Sequence, residues 1–528
     1  LGGGSILCAN PKINPDPTNG IVGVAGRVAT ELIKPDDGVF NELVDFADKV
    51  ISTHPILSAP IEMPSAYDIQ LWWLENTSYE KWRKEDLTKV WENFNVGEEL
   101  DQISHNLCFI KDEVYTDWKL ARAIFSRTDL FKLIFGPLTK LIEKQVYQMD
   151  EFIKNIPFID RANYVFDRLG GRHHVTWSND YTAYESLFSD KLMRAVECKL
   201  YSQKLGRQFP QLVERINDVL TGTNKLRFKT FTASINARRM SGEMSTSLGN
   251  GITNLIINWF VLHKAGYSID HLFTNCMTIV EGDDSLTISE KPVDFLLYRE
   301  LGMRAKLQTH EKIGEASFCG MFFDDDDKTI ICDIRKQIVG LSWGDAKWAN
   351  ARKAKHHSLL RAKAMCLAYQ YRGCPILDKL CHRMLYLTAS CDPRHMLKMM
   401  SRDYYHSSIV AETKQCINNI IADGPKEPTL AARLFVEKHL NISMQMQVLL
   451  ERRVDSFTLG HNDLITMICS DAQLEYAQKF VGPLMPNLMK GSGPRLSEEQ
   501  IGIVQNAFLK PQDFIRFQKS ARGQLDGD

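Results

Sequence analysis

The ten residues from Ser241 to Asn250 follow the pattern SGxxxTxxxN and overlap the start of a long apolar-periodic segment, Thr246 to Ala265. Four fixed residues at about 5% frequency each recur by chance on the order of three times per thousand chains of this length. Physically, Ser241-Gly242 supplies a pliable loop before a helix. Thr246 and Asn250, four apart, then share one helix face. Such a face presents hydroxyl and amide groups to a ribose, although the same residues also suit a cap with an exposed asparagine.

The residues that follow, Cys276 to Ser289, read as two β-rich runs around Gly282-Asp283-Asp284, a hairpin with carboxylates at its tip. Alone, such a tip is most often a solvated turn. A functional reading needs a second source of carboxylate, because two divalent cations roughly 3.5 to 4 Å apart must be held from more than one side. The β-branched and aromatic residues between His173 and Thr182 predict a strand ending near Asp180, which meets that need. Side by side in one sheet, Asp180 and Asp283 would converge on two Mg²⁺ ions, hard cations that favour oxygen ligands.

The ordered set Asp180 to Glu185, Arg239 to Asn250 and Glu281 to Asp284 resembles motifs A, B and C of positive-strand RNA virus polymerases. The middle motif is most similar to tombusvirus- and nodavirus-like enzymes. Upstream, Lys111, Lys119 and the run Arg122 to Arg127 resemble the basic finger motif F. The resemblance implies an α+β right-hand polymerase fold: a palm of antiparallel sheet plus helices, fingers, and a mainly helical thumb. It places fingers at 60–160, palm at 161–196, a fingers insertion at 197–237, palm again at 238–335, and thumb and C-terminal region at 336–528, while the many Gly and Pro of residues 1–59 read as a loop-rich arm.

The implied reaction is RNA-templated RNA synthesis for viral genome replication and transcription: NTPs add to an RNA 3′-hydroxyl by two-metal-ion catalysis, releasing pyrophosphate. Asp180, Asp283 and Asp284 would hold the two Mg²⁺, with Mn²⁺ able to substitute. Lys111, Lys119, Arg122 and Arg127 would clamp the triphosphate, a task suited to bidentate guanidinium donors. Glu185, Ser241, Thr246 and Asn250 would line the nucleotide, Glu185 standing where aspartate is more usual. Lys306 would be the general acid for pyrophosphate, with Lys312 competing, and Phe318-Cys319-Gly320 resembles the primer-supporting motif E. Template, nascent RNA, NTPs and other viral replication proteins are the implied partners, at membrane-associated complexes in the host cytoplasm whose anchor lies outside this chain. A reverse transcriptase would carry an aromatic residue two places before its aspartate pair, where this chain has Glu281.

Bulk properties say little beyond this. Lys and Arg number 64 against 65 Asp and Glu, so attraction to a polyanion must come from local charge. Asp333 to Lys363 is one such stretch, with eight cations, two acids and the interleaved Trp343 and Trp348, equally suited to RNA or to an ordinary helix surface. The 12 cysteines include no CxxC pair, which favours a reducing compartment. Cys366, Cys374, Cys381, His382, Cys391 and His395 cluster without the paired short spacings of structural zinc. No apolar run reaches the roughly 18 to 20 residues of a membrane span. The start at Leu1, without methionine, reads as a fragment or processed product.

Overall fold

The computed structural model describes residues 17–63, 68–94, 103–111, 120–171, 175–342, 351–402, 404–459 and 518–519. Lys119, Trp343, Lys347 and Trp348 lie outside the described residues.

Two sheets organise the first two thirds of the chain. Strands β1 (His105–Ile110), β2 (Ala123–Arg127), β4 (Thr223–Arg227) and β5 (Phe231–Asn236) join β9 (Gln518–Lys519) in the order β9-β5-β4-β1-β2. Both segments expected as fingers thus feed one sheet. The second sheet is wholly antiparallel, with β3 (Val175–Tyr181), β6 (Thr278–Glu281), β7 (Asp284–Ser289) and β8 (Ala305–His310) in the order β6-β7-β3-β8. It combines strands from 161–196 and 238–335.

The helix α1 (Thr246–Lys264) packs against one face of this second sheet. Fourteen of its residues are buried, so it is a central helix rather than an amphipathic surface one. Strand alternation sends Trp177, Asn179 and Tyr181 to the helix side, where Asn258 of α1 accepts from Asn179 Nδ2 at 3.3 Å and from the Tyr298 hydroxyl at 2.6 Å. Trp177, fully buried, donates its indole N–H to Tyr298 at 3.1 Å. A buried side chain of that size contributes about 3 kcal/mol of transfer free energy, provided its N–H is paired.

Several local expectations change. The Gly and Pro content predicts loops through residue 59, but Asp37–Thr53 is helical because Phe40, Leu43, Phe46, Ala47, Val50 and Ile51 recur at helical spacing. The residues from Tyr79 to Tyr147 read as mostly helical, yet β1 and β2 lie among them. The helix Asp129–Val146 runs through Gly136-Pro137 without a break. Proline there forfeits roughly 3 kcal/mol, and eleven buried residues on that helix offset it; Gly136 leaves the space that the Trp73 indole fills. The single helix expected from Ser186 to Gln203 is instead a 3₁₀ turn (Tyr184–Leu187), a short α-helix (Asp190–Met193), a π-helical turn (Arg194–Cys198) and another α-helix (Lys199–Leu205).

From residue 334 to 459 the described chain is helical, its core including Leu360, Ala364, Leu380 and Cys381. Three of the cations in the basic stretch cap carbonyls inside this region: Arg335 on Leu440 O (2.6 Å), Arg361 on Leu385 O (2.7 Å) and Lys363 on Gly340 O (2.7 Å). Cys366, Cys374 and Cys381 are buried, and burial pushes the Cys381 thiol well above its ordinary range. Among the described residues no three His, Cys, Asp or Glu side chains are grouped to hold a metal ion. Nor is any described helix long and apolar enough to cross a membrane.

Candidate active site

Register brings the first pair of carboxylates together. Strand β3 pairs with β7 through Asn179 opposite Ser285, so one further step sets Asp180 level with Asp284. On its other side Asp180 lies directly opposite Lys306 of β8. Residues level on adjacent strands share a face, so Asp180, Asp284 and Lys306 stand together on the face away from α1. Asp283 occupies the tip of the tight turn, where Glu281 pairs with Asp284 and Gly282 takes φ +62°.

That turn is held from beneath by α1. Asn254 Nδ2 donates to the carbonyls of Gly282 (3.2 Å) and Asp283 (3.0 Å). Asn258, one turn on, donates to Asn254 Oδ1 at 2.9 Å. Gly251 permits the approach, since a Cβ there would stand 2.9 Å from Phe152 Cε1 and 3.7 Å from Gly282 N. From the side, Lys154 Nζ bridges Glu281 Oε1 (2.7 Å) and Ser247 Oγ (3.0 Å), tying the hairpin to the first turn of α1. Asn254, Asn258 and Lys154 were missed in the sequence, although asparagines at 250, 254 and 258 are a visible four-residue ladder in an apolar helix.

The carboxylates feel one another. Asp283 opens on solvent, yet the surrounding protein displaces enough water to push its carboxyl up; Glu185 and Asp180 add to the rise, while Arg122 opposes it. Asp284 is pushed up to about 7, first by burial and then by Asp283, with Asp180 and Glu281 contributing and a hydrogen bond from Cys319 opposing. Arg122 therefore lies within electrostatic reach of Asp283. Its carbonyl accepts from Lys111 N at 2.8 Å, so Lys111 and Arg122 sit opposite each other just beyond the β1–β2 ladder. Lys306 is exposed, as is Lys312.

Other expected residues are engaged elsewhere. Arg127 is 1% exposed and its Nε donates to Glu243 Oε1 at 2.7 Å, so the structure does not bring it to the cleft. Arg122 and Arg127 are five apart on extended chain, which places them on opposite faces. Thr246 Oγ1 accepts from Gly242 N (3.2 Å) and donates to Glu243 O (3.0 Å), knitting the loop. The Ser241 carbonyl accepts from Phe125 N at 2.8 Å, and Gly242, at φ +118°, lies so close to Ile124 that a Cβ would come within 2.9 Å of it. Asn250 Oδ1 accepts from Arg239 Nε at 3.0 Å.

Arg239 is itself fully buried, paired with Glu197 (2.7 Å) and near Glu243 (3.7 Å), its guanidinium 4.4 Å from the Phe188 ring centre. Glu185 Oε1 accepts from Arg27 Nε (3.2 Å) and Nη2 (3.1 Å), a contact spanning 158 positions. The acidic run Asp324 to Asp327 forms its own turn: Asp324 Oδ1 accepts from Asp326 N at 2.8 Å, and Asp327 Oδ2 accepts from Thr429 at 2.6 Å.

Asp180, Asp283 and Asp284 on one edge supply only hard oxygen donors, and the carboxyls of Asp283 and Asp284 are raised first by burial and then by acidic neighbours whose repulsion a divalent cation would relieve. Their oxygen chemistry suits such a cation, though as they stand the three side chains are not drawn together into one metal-holding group. Curated proteins show no match to this chain. A family model described as viral RNA dependent RNA polymerase matches residues 197–462, which include Asn250, Asp283, Asp284 and Lys306 but not Asp180, Glu185 or the basic finger residues.

Proposed function

This chain belongs to the viral RNA-dependent RNA polymerases, enzymes that synthesise RNA on an RNA template, and we propose that its reaction centre is the edge formed by Asp180, Asp283 and Asp284. The observation that carries this reading is the register placing Asp180 level with Asp284 on neighbouring strands, with Asp283 at the adjoining tip. These carboxylates would hold two divalent cations, Mg²⁺ or in its place Mn²⁺. When bound, the cations lower the pKa of the RNA 3′-hydroxyl and steady the leaving pyrophosphate.

The chain's own groups do the rest. Arg122 and Lys111, with Lys119, orient the triphosphate, and Arg122's reach to Asp283 supports that placement. Lys306, opposite Asp180 and exposed, donates a proton to the pyrophosphate oxygen. Glu185, Ser241 and Asn250 face the ribose. Thr246 shapes the loop that carries Ser241, and Arg127 acts at a distance by anchoring Glu243 in the same loop. The pattern from Ser241 to Asn250 supports a place among tombusvirus- and nodavirus-like enzymes.

Replacing Asp283 by alanine tests the site. Incorporation of labelled NTP on an RNA template should fall by more than about a thousandfold, with template binding and melting temperature nearly unchanged. Undiminished synthesis would remove Asp283 from the reaction centre. A Mg²⁺ titration of the same assay tests the cation: full activity after exhaustive chelation would exclude it.

A further inference from the structure

Resting on that reading of the nucleotide site, we infer that Arg27, from the N-terminal arm, is a positioning residue for ribose selection. The arm is built into the fold at this point. Val24, Ala25 and Val28 are buried beside β2 and β5, and the Arg238 guanidinium donates to the carbonyls of Val28 (3.2 Å) and Thr30 (3.3 Å). Arg304 Nη2 bridges Thr30 Oγ1 (2.8 Å) and Ser186 Oγ (2.7 Å), one residue from Glu185. Arg27 belongs to a π-helical turn, Val24–Val28, a widened turn often found at functional sites.

The hydrogen bonds are asymmetric. Both Arg27 donors go to Glu185 Oε1, leaving Oε2 with no partner among the described residues. Glu185 is one methylene longer than the more usual aspartate and needs an added constraint to hold its carboxylate still. Its backbone is held too, because its carbonyl accepts from Arg239 N at 3.1 Å. Arg239 Nε also takes Asn250 Oδ1, so the Asn250 amide N–H₂ is left to donate. An acceptor at Glu185 and a donor at Asn250 together suit a 2′-hydroxyl, which both donates and accepts. Arg27 sets the first half of that pair.

The test is kcat/KM for an NTP and its matching dNTP, measured with the full chain for wild type, Arg27→Ala, Arg27→Lys, Glu185→Ala and the double variant Arg27→Ala/Glu185→Ala. Arg27→Ala should lower the NTP:dNTP ratio by about tenfold or more, mainly through the NTP, and Arg27→Lys should recover part of it. In the Glu185→Ala background, removing Arg27 should leave the ratio unchanged. A purely structural role would depress both substrates alike, and an unaltered ratio in Arg27→Ala, or an equal drop with Glu185 already gone, overturns the inference. Should Arg27→Ala melt early, Arg27→Lys decides: a ratio equal to wild type, despite a guanidinium fork that lysine cannot copy, counts against it. A wild-type enzyme active but indifferent to the 2′-hydroxyl overturns this inference alone, whereas synthesis insensitive to Asp283→Ala removes the underlying site as well.

Discussion

Asp284 carries the clearest pH signature of any single side chain here. Its carboxyl sits near 7 in the fold, against roughly 3.9 in an unfolded chain. Below about pH 4 both states hold the proton and the group is neutral to stability. As pH rises from 4 to 7 the unfolded chain ionises first, so folding loses stability, and above 7 the full penalty is present. Without divalent cations, Asp284→Asn should therefore exceed wild type in urea denaturation by roughly 1–3 kcal/mol at pH 8, after allowance for solvent in the cleft, and match it near pH 4. A gap that widens toward acid pH would reverse the assignment. Added Mg²⁺ should narrow the difference at pH 8, because the ionised pair is what a cation needs.

Between elements, two contacts decide how β2 and the hairpin meet α1. Arg127 of β2 and Glu243 before α1 form a buried ion pair. Arg127→Met alone leaves the buried Glu243 carboxylate with only the more distant Arg239 at 3.7 Å and should cost about 3 kcal/mol, whereas Arg127→Met combined with Glu243→Leu should recover most of it. Equal losses for the single and double variants would show that the pair contributes packing rather than charge. At the other contact, Gly251→Ala pushes a methyl against the Phe152 ring, whose backbone bridges Val280 beside the turn. Incorporation kcat should drop by about tenfold through displacement of Asp283, with only a small change in melting temperature; an unchanged kcat would mean the hairpin tolerates the shift. The hairpin and α1 were legible in the sequence because alternation, helical spacing and turn residues are local signals. The face taken by Arg127 was not, since the stretch around it reads as helical and only its pairing with β1 makes it a strand.

Across the whole molecule, the helical region after residue 333 buries Cys374 and Cys381 against Cys332, the residue just before it. Cys332, Cys374 and Cys381 lie together in that core, and the Cys332 thiol is held well above its ordinary range by burial and by its neighbours. A zinc-selective chelator should leave the melting temperature unchanged, and native-state alkylation of these three should be slow until the chain unfolds. A chelator-induced loss of several degrees would restore the zinc reading. The same scale governs the arm, where residues that compose as loop carry Arg27 across the fold to Glu185.

Local sequence specifies the short segments proposed to bear chemistry: Asp180 at a strand end, the Ser241–Asn250 loop and helix, the Gly282-Asp283-Asp284 turn and Arg122. Each is specified by residues within a few positions of one another, where backbone preference and periodicity operate. Packing alone sets Asp180 level with Asp284, puts Asn254 beneath the turn, buries Arg127 and carries Arg27 to Glu185. Those depend on strand register and on charges brought together over 28 to 158 positions. Nothing local encodes such a pairing, because its free energy exists only once the elements between the partners have packed.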